Sequence, residues 1–207
     1  MIKNVILESM ETYYIVGLGN AGERYRSTRH NVGFMTVDIL REIWGFEDWK
    51  FDDAKRALIS EGEFSNRRIV LFKPDSFMNT SGVSVGRLRK DGMMPDKLII
   101  VHDEIDLPLG LVKFVHGRGS GGHRGVESVM KTLETKSFFR FRVGVSPVSD
   151  SGEINRPRGK ERVHVFILGK LSDHEKEEIK KAGIRIGKYI ETFLKDGFER
   201  TVSSFKG

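Results

Sequence analysis

The residue best suited to proton transfer in this sequence is an imidazole set just ahead of an amphipathic stretch. His30 stands in Ser27-Thr28-Arg29-His30-Asn31-Val32-Gly33, and an ordinary histidine titrates at roughly 6.5, close enough to neutrality for general-base work. Asp103 follows the apolar run Lys97 to His102. A carboxylate there can accept from one ring nitrogen and leave the other to take a proton. Asn20, Phe77 and Asn79 also follow segments read as strands, and ligands in open α/β sheets collect outside the carboxyl ends of the strands. A single histidine before a helix is more often structural than catalytic. The weight on His30 comes from these companions.

Other chemistries have less support. Gly17-Leu18-Gly19-Asn20-Ala21-Gly22 matches a dinucleotide-binding glycine pattern by letter. In that motif, however, the helix starts at the loop and an acidic residue ends the following strand, whereas here polar residues intervene and Asp38 falls inside the helix. No Gly-x-Ser-x-Gly elbow is expected, so a serine nucleophile has no motif support. His102, Asp103, Glu104 and Asp106 are metal-ligand types, but neighbours on a strand point to opposite faces, so His102 and Asp103 cannot easily share one ion. Glu104 is read as structural or solvated. The Phe77-Met78 pair is core by default, with a stacking wall beside Ser76, Asn79 and Thr80 as the alternative.

The chain has 207 residues, 38% of them hydrophobic, which suits one α/β domain with a sizeable core. The absence of cysteine excludes disulfides and thiolate zinc sites. No run approaches the ~20 apolar residues of a membrane-spanning helix, and the N-terminus lacks a signal peptide's apolar region. These features lead to the expectation of a cytoplasmic protein. A net charge of +6 and a pI near 9.5 favour a polyanionic partner. Arg140 and Arg142 lie in a late strand, and Arg156, Arg158, Lys160 and Arg162 in a loop containing glycine and proline. They are either solvated surface or a phosphate-contacting patch.

Periodicity supplies the elements that must position these residues. Strands are expected over 13–18, 56–64, 67–72, 97–102, 111–115 and 139–146. Helices are expected from Asn31 through Trp44, from Thr80 or Ser81 through Arg89, over 126–133 and over 174–196. His116 to Gly125 reads as a flexible loop. The alternation predicts a single-domain three-layer α/β/α sandwich around a twisted mixed, largely parallel sheet.

With these segments in view, the chain resembles bacterial-type peptidyl-tRNA hydrolases. The matching segments are Val16-Gly17-Leu18-Gly19-Asn20 through Tyr25, Thr28 to Gly33, Phe77 to Gly82, His102 to Pro108, Gly121-Gly122-His123, Arg140 to Gly144 and Phe166 to Gly169. The resemblance implies hydrolysis of the ester joining peptide to tRNA, with His30 as general base, Asp103 orienting it, and Asn20 distinguishing N-blocked substrates. It implies that Tyr25, Phe77 and Asn79 line the substrate channel with Met78 and His123 nearby, and that Lys113, Arg140 and Arg142 meet acceptor-stem phosphates. It implies no metal or organic cofactor and a monomer.

Three departures stand out. Arg124 replaces the family's usual asparagine, exchanging a donor and acceptor for a donor-only cation; it remains a candidate substrate contact. Ala21 replaces the usual proline, which is expected to loosen a turn. The segment Val148 to Arg162 looks longer and more basic than is common. The alternative to an enzyme is a catalytically weak or inactive RNA-binding relative, and Arg124 is the feature that favours it. Residues 1–11 are expected to be an extension of a domain spanning 12–207, with Met10 a candidate start.

Overall fold

A computed structural model describes residues 10–205, so the expectation about the extension and its start falls largely outside the described residues. Seven strands form one sheet in the order β2-β3-β4-β1-β5-β7-β6. They are β1 (Thr12–Gly17), β2 (Lys50–Asp52), β3 (Ala57–Phe64), β4 (Arg67–Pro74), β5 (Leu98–Pro108), β6 (Val112–His116) and β7 (Phe139–Ser146). Strands β4, β1, β5 and β7 pair parallel, and β3 and β6 run against them. The helices are α1 (Val32–Trp44), α2 (Ser81–Lys90), α3 (Arg124–Leu133), α4 (Lys160–Leu168), α5 (Asp173–Asp196) and α6 (Phe198–Ser204). The expected three-layer sandwich is present.

Residues alternate across the sheet and divide the core in two. Ile15, Ile99 and Val101 pack with Val37 and Leu40 of α1 and Ile179, Ile186 and Ile190 of α5. Val16, Leu98 and Ile100 pack with Val85 and Leu88 of α2 and Val126 and Val129 of α3. The β3–β4 hairpin turns at Ser65 and Asn66, both at positive φ (51° and 57°), as a two-residue primed turn requires. No helix among the described residues is long and apolar enough to cross a membrane.

Two sequence expectations change. Strand β5 continues through Pro108, so Asp103 lies within it rather than at its end. Pairing with β1 nevertheless stops at Val101, and Asp103 therefore sits just beyond the carboxyl end of β1. The basic segment after β7 is not loop throughout, because Lys160 and Arg162 belong to α4. Helix α4 buries no residue and carries little amphipathic pattern, which is why periodicity does not reveal it.

Candidate active site

Four connections meet beyond the carboxyl ends of β1, β4 and β5: the loops after β1 and β4, the far part of β5, and the glycine-rich turn between β6 and α3. The approach of α1 to the sheet fixes one side. A Cβ on Gly33 would fall 2.4 Å from the carbonyl oxygens of both Leu18 and Val101, so only glycine lets the first turn of α1 rest on the strand backbones. His30 and Asn31 belong to the short 3-10 turn Arg29–Asn31 just before that helix.

Asp103 and two imidazoles form the centre. His30 Nδ1 lies 2.9 and 3.1 Å from the Asp103 carboxylate oxygens, and His123 Nε2 lies 3.0 Å from Oδ1. Burial works to raise the Asp103 carboxyl, but His30 and His123 together hold it well below the usual carboxylate range. An ionised carboxylate only accepts, so both ring nitrogens facing it donate. In the neutral ring, His30 Nε2 then carries the lone pair. His123 Nδ1 accepts in turn from the backbone N–H of Val126 at 3.3 Å, capping α3. One ligand atom from each of His30, Asp103 and His123 lies within 4.8 Å of the others, and a cation bound through the ring nitrogens that face Asp103 would have to replace their protons. The other metal-ligand types at 102–106 do not gather with them, in line with the alternation of strand neighbours: Glu104 pairs with Arg142 and accepts from the Asp106 N–H.

Asn20 is set by its acceptor. Its Oδ1 accepts the backbone N–H of Met78 at 2.8 Å, which leaves Nδ2 as a donor with no hydrogen-bond partner among the described residues. Asn31, expected only to cap α1, makes no capping bond. Its side chain instead accepts from the Asn20 N–H at 2.9 Å and donates to the Asn20 carbonyl at 3.0 Å. Sequence reasoning missed this role, although adjacency to His30 pointed to the right turn. Ala21, expected to loosen its loop, donates its N–H to the Ser76 carbonyl at 3.0 Å, a bond proline cannot make.

The remaining candidates separate. Phe77 is 57% exposed and meets Tyr25 edge-on at 6.4 Å, whereas Met78 is buried in the core with only its backbone serving the site. Asn79 is exposed beside them, and Arg124 is exposed at the first residue of α3. Lys113 is exposed and lies opposite Arg142 across β6 and β7. Arg140 departs from its expected role. It is 2% exposed and commits its Nη atoms to His102 and to the carbonyls of Arg118 and Gly119, so it offers nothing to a phosphate. Arg156 is paired with Asp106. The letters Gly-x-Ser-x-Gly do occur, at Gly82-Val83-Ser84-Val85-Gly86, against the expectation. The stretch lies inside α2, and buried Ser84 donates to the Arg56 carbonyl, so it forms no nucleophile elbow.

The peptidyl-tRNA hydrolase family model matches residues 14–207. The peptidyl-tRNA hydrolase of Caldanaerobacter subterraneus subsp. tengcongensis is 34% identical over 94% of this chain and 100% of its own length. That of Rhodococcus jostii is 37% identical over 92% of this chain and 96% of its own. The crystal structure of the Acinetobacter baumannii enzyme superposes with a TM-score of 0.83 at 29% identity, covering 94% of both chains. A family match from β1 to the C-terminus, with near-full-length relatives and the same fold, has one meaning: this chain belongs to the peptidyl-tRNA hydrolase family.

Proposed function

We propose that this chain hydrolyses the ester between peptide and tRNA by activating water on His30. The observation that carries the reading is the His30–Asp103 pair, which leaves Nε2 as the base. Nε2 takes a proton from water, the oxygen attacks the ester carbonyl, and Asp103 supports the imidazolium that forms. That imidazolium returns its proton to the departing ribose oxygen.

The free Nδ2 of Asn20 suits it to donate to the carbonyl of an N-blocked peptide, which would separate peptidyl-tRNA from free aminoacyl-tRNA. Tyr25, Phe77 and Asn79 are suited to line the channel. Exposed Lys113 and Arg124, and the partly exposed Arg142 with the Nη that Glu104 leaves open, are candidate cations for phosphates of the acceptor stem.

The test is turnover of N-acetyl-aminoacyl-tRNA by His30→Ala alongside the unaltered protein. Loss of roughly 10²- to 10⁴-fold in rate with tRNA affinity retained is expected. Undiminished hydrolysis by the variant would remove His30 from the chemistry. Binding without turnover by the unaltered protein would favour the RNA-binding alternative and its distinguishing Arg124.

A further inference from the structure

Among fully buried side chains Arg140 is the largest, and it is charged. No carboxylate pairs with it among the described residues, and its Nε has no partner there. Burial, followed by the charge of Arg142, pulls its pKa down to about 10, so at neutral pH it keeps its proton. A leucine or methionine would fill similar space without this desolvation. What the guanidinium does instead is join two pieces of the site. Its Nη2 donates to the carbonyls of Arg118 and Gly119, at 2.9 and 2.8 Å, within the glycine-rich turn that leads to His123. Its Nη1 lies 3.3 Å from His102 Nε2.

A guanidinium has no acceptor, so Nε2 of His102 must hold the lone pair and Nδ1 the proton. Nδ1 accordingly donates to the Asp103 carbonyl at 2.7 Å. The His102 ring, fixed at both nitrogens, meets the His123 ring at 60° with centroids 4.6 Å apart. His123 in turn donates to the Asp103 oxygen nearest His30.

We infer that Arg140 is a positioning residue for the hydrolysis: by holding His102 and the 118–119 turn together, it places His123 so that Asp103 faces His30 in the productive geometry. This rests on the His30–Asp103 reading above. It also takes Arg140 out of the RNA contact expected from its place in a basic strand.

The experiment compares Arg140→Lys with the unaltered protein for kcat, for tRNA affinity across a salt series, and for thermal melting. Lysine keeps the charge, but one nitrogen cannot span His102 and two carbonyls. Expected is a fall in kcat of about ten- to hundredfold, with tRNA affinity and its salt dependence unchanged. Arg140→Gln, which removes the charge, is expected to leave the slope of tRNA affinity against salt unchanged; a slope shallower by about 0.7 to 0.9 would mean that Arg140 meets a phosphate, and an unchanged kcat in Arg140→Lys would end the positioning role. Either result leaves the His30 assignment standing, because that depends on His30→Ala.

Imidazole nitrogen NMR on the unaltered protein gives a second measurement should Arg140→Lys not fold. The neutral forms of His102 with Nδ1–H and His123 with Nε2–H are expected. A His102 proton on Nε2 would overturn the inference.

Discussion

Asp103 meets the Nδ1 edge of the His30 ring with both carboxylate oxygens, at 2.9 and 3.1 Å. The contact fixes the tautomer of the neutral ring, because an ionised carboxylate admits only the form with its lone pair on Nε2. In Asp103→Asn an amide can turn its NH₂ toward Nδ1 and drive the proton to Nε2. The kcat is expected to drop about 10²- to 10⁴-fold with tRNA affinity retained. Steady-state kinetics and filter binding check this, and a kcat near that of the unaltered protein would contradict it.

The orientation of Asn20 separates its two side-chain atoms experimentally. Asn20→Asp keeps an oxygen for the Met78 N–H and removes only the outward donor. A net hydrogen bond is worth about 1 kcal/mol, so kcat/KM for N-acetyl-aminoacyl-tRNA should fall about fivefold or more. Hydrolysis of free aminoacyl-tRNA, which has no peptide carbonyl for this donor, should change little. Equal losses on both substrates would mean that the donor does not read the blocked end.

Salt distinguishes the arginines. Arg142 is half-buried beside Glu104, and Lys113 is exposed across the strand. Each phosphate contact contributes about 0.7 to 0.9 to the slope of log affinity against log salt. Lys113→Gln and Arg142→Gln should each shallow the tRNA-binding slope by about that amount. Slopes matching the unaltered protein would place the acceptor stem elsewhere.

Acid should weaken the fold through His102. Burial first, then His123 and Arg140, hold this ring's pKa well below its ordinary value of 6.5. As pH falls through 6.5 the unfolded chain binds a proton that the folded protein does not, so stability declines with falling pH. Asp103 does not act in this window, because its depressed pKa costs stability only at lower pH, as the carboxylate is protonated. His102→Gln, which retains an acceptor for Arg140, should reduce the loss of Tm between about pH 7.5 and about pH 5.5. An unchanged pH dependence of melting would show that His102 is not the responsible group.

Period and composition carry most of the architecture, because each buried strand and each amphipathic helix repeats its own signal. Strand β7 and helix α5 were legible for that reason. Strand β2 is three residues long and α4 buries nothing, so neither leaves a pattern to find. At the site, residue types marked His30, Asp103 and Asn20. They did not reveal that Asn31 grips the Asn20 backbone or that Arg140 turns inward, because both depend on which strand neighbours which. Arg140 and Arg142 look equivalent in sequence. Their separation comes from the turn over β7, whose carbonyls enclose one guanidinium while Glu104 meets the other.

Gly17 and Gly33 bring strand and helix backbones into direct contact, a Cβ on Gly17 falling 2.4 Å from the Gly33 carbonyl oxygen. No side chain lies between them to flex or repack. The reach from the His30 turn to the β5 carboxylate is therefore set by main-chain thickness, which neither heat nor nearby substitution can adjust by degrees. On warming, this enzyme should keep its catalytic geometry until the sheet itself gives way, and lose activity and fold in a single step.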